Sequence, residues 1–245
     1  MNTYLIALIL FLFGYTLNMF YISVLYHRGL THKAIILGPK MMKFLKATGV
    51  WVTGIDPKSW ATMHRFHHLY SDSEKDPHSP VHKGLMGVWK GQYVYYLDVM
   101  NKLMDKSDPA VNAMVEDIPF EVCFMSKRNL SSLPYVIHAL VAILIMVLTH
   151  STIIGIGYYL GIMSHPVQGW MVNALAHKFG KRNFDTPDNS RNNMFVGLFV
   201  FGEGYQNNHH ANPEKASFSH RVHEIDLGYF MCWIGEKLGL YTIKA

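Results

Sequence analysis

Residues 3–32 read TYLIALILFLFGYTLNMFYISVLYHRGLTH. From Thr3 to Tyr26 the stretch holds no Asp, Glu, Lys or Arg, and as an α-helix it extends about 36 Å at 1.5 Å per residue, enough to cross a bilayer. A secretory leader fits less well, because no basic segment precedes the apolar run and no small-residue cleavage site follows it. No Lys or Arg comes before the helix, whereas Arg28 and Lys33 follow at once. The positive-inside rule therefore puts residue 27 onward in the cytoplasm and the N-terminus outside.

Outward from this helix the 245-residue chain alternates apolar and polar blocks. Half of its residues are hydrophobic and 16% are charged, against roughly 25% in an ordinary soluble domain. Its mean hydropathy of +0.09 is too low for a chain that is membrane throughout. Pro39 to Ile55 is apolar but carries Lys40, Lys43 and Lys46 at a three-residue spacing, which places charge on one helical face and reads as an interfacial amphipathic helix. Residues 56–129 are polar, broken at Pro57, Pro77, Pro80, Pro109 and Pro119. Leu130 to Trp170 is again free of charge, too long for one crossing and suited to a helical hairpin turning near His150 and Ser151, with residues 130–174 as the hairpin unit. Residues 175–245 return to polar sequence, apart from Met194 to Phe201 and Leu227 to Leu240. The fold expected is an all-α integral membrane protein of a single domain: about three transmembrane helices, an interfacial helix and a helical cytoplasmic cap.

The compositional anomaly is fifteen histidines. His27 and His32 form H-x4-H, His64, His67 and His68 form H-x2-H-H, Gln206, His209 and His210 form Q-x2-H-H, and His177 stands alone in NALAH. Positions three and four apart share a helical face, so the middle cluster is expected to aim three rings at one point. A five-residue step overshoots one α-helical turn by about 140°, so H-x4-H must be locally unwound or must serve two metals. Imidazole suits iron, copper, zinc and nickel, and eight histidines with an amide exceed one ion's capacity, so two metals are expected. A closed zinc site is disfavoured, since neither Cys123 nor Cys232 lies in a cluster. His138, His150 and His165 are read as helix-end or backbone-bonding groups. Asp72, Asp76, Glu203 and Asp226 are the candidates to hold the outer nitrogens of ligating rings. Two cysteines exclude a disulfide framework or an unaided four-cysteine iron–sulfur centre, and no nucleic-acid-binding motif is present.

Over nearly its whole length the sequence resembles the membrane fatty acid desaturases, in particular the acyl-CoA (delta-9) branch and its bacterial relatives. HRGLTH is similar to the first histidine box of that family, HRFHH with the following DPH to its second, NALAH to its isolated histidine, and GEGYQNNHHANP to its third. The resemblance implies a non-haem di-iron centre held by His27, His32, His64, His67, His68, His177, His209 and His210, with Asn173 meeting one iron through water. Gln206 stands where this branch has a ninth histidine; its amide oxygen is a possible donor, as in front-end desaturases. The branch commonly has two crossings before the first box, against one here.

The implied reaction is O2-dependent insertion of a cis double bond into a long-chain fatty acyl group, at the cytoplasmic side of a multi-pass protein in a bacterial cytoplasmic membrane. Since the chain has neither a cytochrome b5 signature nor a dinucleotide fingerprint, electrons must come from an external cytochrome b5, ferredoxin or rubredoxin with its reductase. Arg65, Lys178, Lys181 and Arg182 are candidate contacts for a phosphate-bearing headgroup or, more simply, topology signals. A related di-iron hydroxylase or fatty acid decarboxylase, and an inactive paralogue or metal-storing membrane protein, are the alternatives; Gln206 is the one feature favouring the last.

Overall fold

The computed structural model describes residues 2–76, 78–128 and 130–244, so Pro77 and Asn129, read above as a break and a boundary, lie outside the described residues. In chain order the helices are α1 (Thr3–Met19), a π-helical stretch (Phe20–Thr31), α2 (Pro39–Thr53), α3 (Pro57–Tyr70), α4 (Pro80–Asp105), α5 (Pro109–Ala113), α6 (Phe124–Lys127), α7 (Leu133–Thr149), α8 (Thr152–Ile162), α9 (His165–Trp170), a second π-helical stretch (Met171–Leu175), α10 (Met194–Phe199), α11 (Gln206–Ala211) and α12 (Leu227–Lys237). One departure from an all-helical fold is a small antiparallel pair, in which β1 (Ile35–Ile36) meets β2 (Thr242–Ile243).

The opening apolar run is helical beyond its expected end at Tyr26. Asn2 caps α1 by accepting from the Tyr4 amide at 2.9 Å, and the helix passes into the π stretch without a break. Thr3–Thr31 is, among the described residues, the one helix long and apolar enough to cross a membrane. Its two parts differ in surroundings: Tyr4, Leu8 and Phe13 are exposed, whereas every residue from Tyr21 to Thr31 is buried.

The Leu130 to Trp170 block does fold back at His150, which adopts a left-handed conformation between α7 and α8. Its second limb is interrupted: α8 is 11 residues, about 16 Å, and the chain breaks at Met163 and Ser164 before α9. Gly157 and Gly161, four apart on α8, meet the backbone of α1 at Ala7 and Phe11 so closely that a Cβ on either would clash. Such small residues let the two backbones approach closely, and dispersion holds them. Asn18 finishes this junction by donating Nδ2 to the carbonyls of Ile162 (2.9 Å) and Val52 (3.3 Å).

Around the buried half of the first helix, α3, α4, α12 and the C-terminal strand pack a core containing Leu25, Tyr26, Trp60 and Phe66. The helix α2 buries Leu45, Gly49, Val50 and Thr53 and leaves Lys40, Lys43 and Lys46 exposed, as the spacing implied. His138 bonds to the backbone of α2 at Trp51 O (2.8 Å) and to the Tyr158 hydroxyl on α8 (2.6 Å).

Candidate metal centre

The H-x4-H spacing is solved by local underwinding of the helix and not by division between metals. Residues 20–31 close their turns with one residue more than an α-helix, and the His32 amide donates to His27 O five residues back at 3.1 Å. That wider turn returns His32 to the face of His27, with ring centroids 5.0 Å apart. The α3 cluster behaves in the opposite way to the expectation of one target. Asp56 caps α3 by accepting from the Ser59 amide at 2.8 Å, with Pro57 in the first turn. On that helix His64 and His68 point to one group and His67 to another. Adjacent His209 and His210 on α11 diverge in the same manner.

The first group comprises His27, His32, His64, His68 and His209. His209 Nε2 lies 3.0 Å from both His27 Nε2 and His68 Nε2, and His68 Nε2 lies 3.1 Å from His64 Nε2. Ligand atoms at right angles around an ion bonded at about 2.1 Å sit about 3.0 Å apart, so these nitrogens already have the spacing of a coordination shell. Burial, reinforced by the neighbouring rings, holds His32, His64, His68 and His209 well below the ordinary histidine range. Neutral imidazoles with free lone pairs are what a cation requires. Trp60 backs the group by stacking on His64 at 5.0 Å.

The second group is His67, His177 and His210. Each ring gives Nδ1 to its own carboxylate: His67 to Asp76 (3.0 Å), His177 to Asp72 (3.1 Å) and His210 to Asp188 (2.6 Å). This fixes the tautomer and leaves each Nε2 with a lone pair, and all three Nε2 atoms are enclosed without a hydrogen-bond partner. Burial opposes charge on Asp72, Asp76 and Asp188, yet their histidine and hydroxyl or amide partners hold all three below the usual carboxylate range. Burial lowers His210 to about 4, partly offset by Asp188; in His67 burial also opposes charge, but Asp76, Asp72 and Asp188 together outweigh it and the net shift is upward. The groups adjoin, with His68 stacked on His210 at 4.3 Å.

Gln206 is fully buried, four residues before His210 on α11. Its Nε2 donates to Glu203 O at 2.7 Å, and its Oε1 is enclosed with no partner. Glu203 accepts from His27 Nδ1 at 2.7 Å and binds Arg28 at 2.8 Å. Asp226, grouped with Glu203 on sequence, meets no histidine: it pairs with Arg28 (3.0 Å), accepts from the Phe218 amide and caps α12 through the Tyr229 amide. Its position at a helix N-terminus decides that role. Arg65 and Arg182 are likewise committed within the chain, the first to Asp117 and the carbonyls of Leu30 and Thr31, the second to the carbonyls of Thr186 and Asp188.

Three residues escaped the sequence reading. Asp188 belongs to a loop with no spacing relation to His210. Arg28 is fully buried between Glu203, Asp226 and the Phe218 ring, 3.8 Å from its centroid. His78, within the DPH triplet, is buried with both ring nitrogens unpartnered, packs 5.4 Å from His67, and is pushed down to about 3 by burial. The triplet was the available signal for it.

A mainly apolar cavity with roughly 840 Å³ of open space, mouth included, reaches the histidines at His27, His64 and His78. Ile22, Trp60, Met63 and Val172 line its walls, and Asn173 lies on the same lining. The donor set fits two adjacent transition-metal ions: five nitrogens converge in one group, and three enclosed nitrogens lack any other partner in the second.

The profile of the family described as fatty acid desaturase matches residues 2–224. Among curated proteins, the chain is 30% identical over 223 residues to delta-9 desaturase-like 3 protein of Arabidopsis thaliana, covering 90% of this chain and 71% of that one. It is 33% identical over 235 residues to icosanoyl-CoA 5-desaturase of Limnanthes douglasii (94% and 62% covered). It is 32% identical over 225 residues to the chloroplastic palmitoyl-monogalactosyldiacylglycerol delta-7 desaturase of Arabidopsis thaliana (90% and 57% covered).

Proposed function

Because this chain belongs to the fatty acid desaturase family, and is a membrane oxidoreductase of that kind, we propose that it introduces a cis double bond into a long-chain fatty acyl group at a non-haem di-iron centre. The observation that carries the iron assignment is the set of enclosed, unpartnered nitrogens at His67, His177 and His210 beside five converging imidazoles. Buried polar atoms are almost always satisfied, so a cluster of orphans implies a missing partner. His27, His32, His64, His68 and His209 would hold one iron. His67, His177, His210 and the Gln206 oxygen would hold the other, with Asn173 reaching it through water. Such a centre, when reduced, supplies the O2 chemistry needed to remove hydrogen from an unactivated methylene.

The chain's own residues do the rest. Asp72, Asp76, Asp188 and Glu203 fix ring orientation and tautomer, and the cavity walls limit which methylenes approach the imidazoles and exclude water from them. Two electrons and two protons from an external donor, with two hydrogens from the acyl chain, balance the reduction of O2 to two waters. An iron–sulfur or cytochrome carrier is the class of donor required. Under this reading α1 and the α7–α8 hairpin cross the bilayer, which accounts for the exposed apolar faces at Leu8, Phe13, Leu140 and Leu148, and α2 rests at the inner surface through its lysines. The relatives are named for positions 5, 7 and 9, and bond position in this chain belongs to its own cavity.

The test is metal analysis of the purified protein together with product analysis after expression in a desaturase-deficient host. Iron at two per chain and a new monounsaturated fatty acid are expected. An iron-loaded protein yielding only hydroxylated or decarboxylated products would replace desaturation by one of those reactions.

A further inference from the structure

Among the described residues, His78 is the cavity-lining imidazole that adjoins the two histidine groups without belonging to either. Its ring is 1% exposed, and neither Nδ1 nor Nε2 has a hydrogen-bond partner. Its centroid lies 5.4 Å from that of His67, little farther than His177 (5.0 Å) or His210 (5.2 Å). The set it forms is with His67 and Asp76, separate from the one that joins His67 to His177 and His210, so it stands beside the second group and outside its ligand cluster. The same ring lines the apolar cavity together with His27 and His64 of the first group, Met63 and Val172. His78 is thus placed where the cavity reaches both groups.

The chain leaves this ring nothing to bond. Asp76 is already taken: Oδ1 accepts from His67 Nδ1 (3.0 Å) and from the backbone amide of His78 itself (2.8 Å), and Oδ2 accepts from the Asp72 amide (2.7 Å). The backbone bond fixes where the ring is carried, and the ring nitrogens remain unused. His27, His67, His177 and His210 differ in this respect, since each gives Nδ1 to a carboxylate and keeps a lone pair for metal. A neutral imidazole always carries one N–H, so His78 is a buried donor beside a cluster of acceptors. Nearby, the Gln206 amide is committed to Glu203 O. His165, the remaining imidazole of the cavity wall, makes its ring contact with Trp60 and with none of the eight clustered histidines.

We propose that His78 is a catalytic residue: its ring N–H donates a hydrogen bond to the small ligand that the second metal position takes up from the cavity, dioxygen in turnover and azide as its experimental stand-in. This rests on the di-iron reading and adds to it a group that holds the oxidant without holding metal. His78 makes and breaks no covalent bond. It orients the ligand between the second group and the cavity, and a donor enclosed there stabilises the negative charge that grows on the ligand as electrons arrive.

The experiment titrates purified, iron-loaded, oxidised protein in detergent with sodium azide, follows the charge-transfer absorption, and counts iron in every sample. His78→Leu is expected to keep two irons per chain and to bind azide about tenfold more weakly or worse, the loss of one hydrogen bond to a charged acceptor. His78→Gln and His78→Asn place an amide N–H near the former Nε2 and Nδ1 positions, and one of them is expected to recover the affinity to within about threefold. Unchanged azide affinity in His78→Leu overturns the proposal. Iron lost from all three variants also overturns it, by making His78 a ligand, and so does affinity lost equally in all three, which would assign the effect to shape. Should His78→Leu fail to fold, a clear difference in affinity between the Gln and Asn variants supports a directed donor, and equality contradicts it. An unaltered chain without iron defeats the di-iron reading itself and this proposal with it, a result distinct from the others.

Discussion

The two histidine groups reach the same end by different means. The first collects five imidazoles from three elements, and one ring, His27, gives its outer nitrogen to a carboxylate. The second has three imidazoles, and every one is held by its own aspartate. Many ligands define a position by their number; few must be fixed individually, because each wrongly turned ring is a larger loss. Carboxylate partners also raise the basicity of the ring, which strengthens a short ligand set. Under the proposed di-iron reading, the second group would be the one whose affinity depends on residues that never touch metal.

The largest effect that separates the groups is expected from paired deletions. His67→Ala leaves two imidazoles in the second group and should reduce metal from two per chain to one with complete loss of desaturation, while the protein stays in the membrane. His32→Ala leaves four imidazoles in the first and should retain both metals. Equal losses in the two variants, measured by elemental analysis, would remove the distinction. Next, Asp226→Asn should cost about 3 kcal/mol or more in unfolding stability by leaving the buried Arg28 short of a partner, without changing metal affinity. A selective loss of metal would return Asp226 to the histidine-orienting set. Asp188→Asn should weaken metal binding at the second group by about 10- to 100-fold, measured by competition with a chelator, since it loosens only His210. Smallest is Gln206→His, which should raise occupancy of the second group several-fold under limiting iron. No change would place the Gln206 oxygen outside the coordination shell.

Much of this arrangement can be read from the chain before folding. Charge-free runs mark α1 and the hairpin, and Lys40, Lys43 and Lys46 mark the exposed face of α2 because helical periodicity is local. The histidine clusters announce themselves by type and spacing. What escapes is whatever depends on local backbone departures or on tertiary approach. The π turn that joins His27 to His32 leaves no mark in an α-helical wheel, and α3 separates His67 from His64 and His68 by a choice of side-chain direction. Asp188 and His210 lie 22 residues apart, one in a loop and the other on α11, and only the packing of that loop introduces them. Asp72, by contrast, was legible as a candidate, although its ring partner, His177, is 105 residues away.

A pair of adjacent metal positions built from eight histidines is tested most directly by metal stoichiometry. Protein purified from iron-supplemented cells in mild detergent, quantified by amino-acid analysis and by elemental mass spectrometry, should contain two irons per chain. One iron per chain, or a single closed zinc, would contradict it.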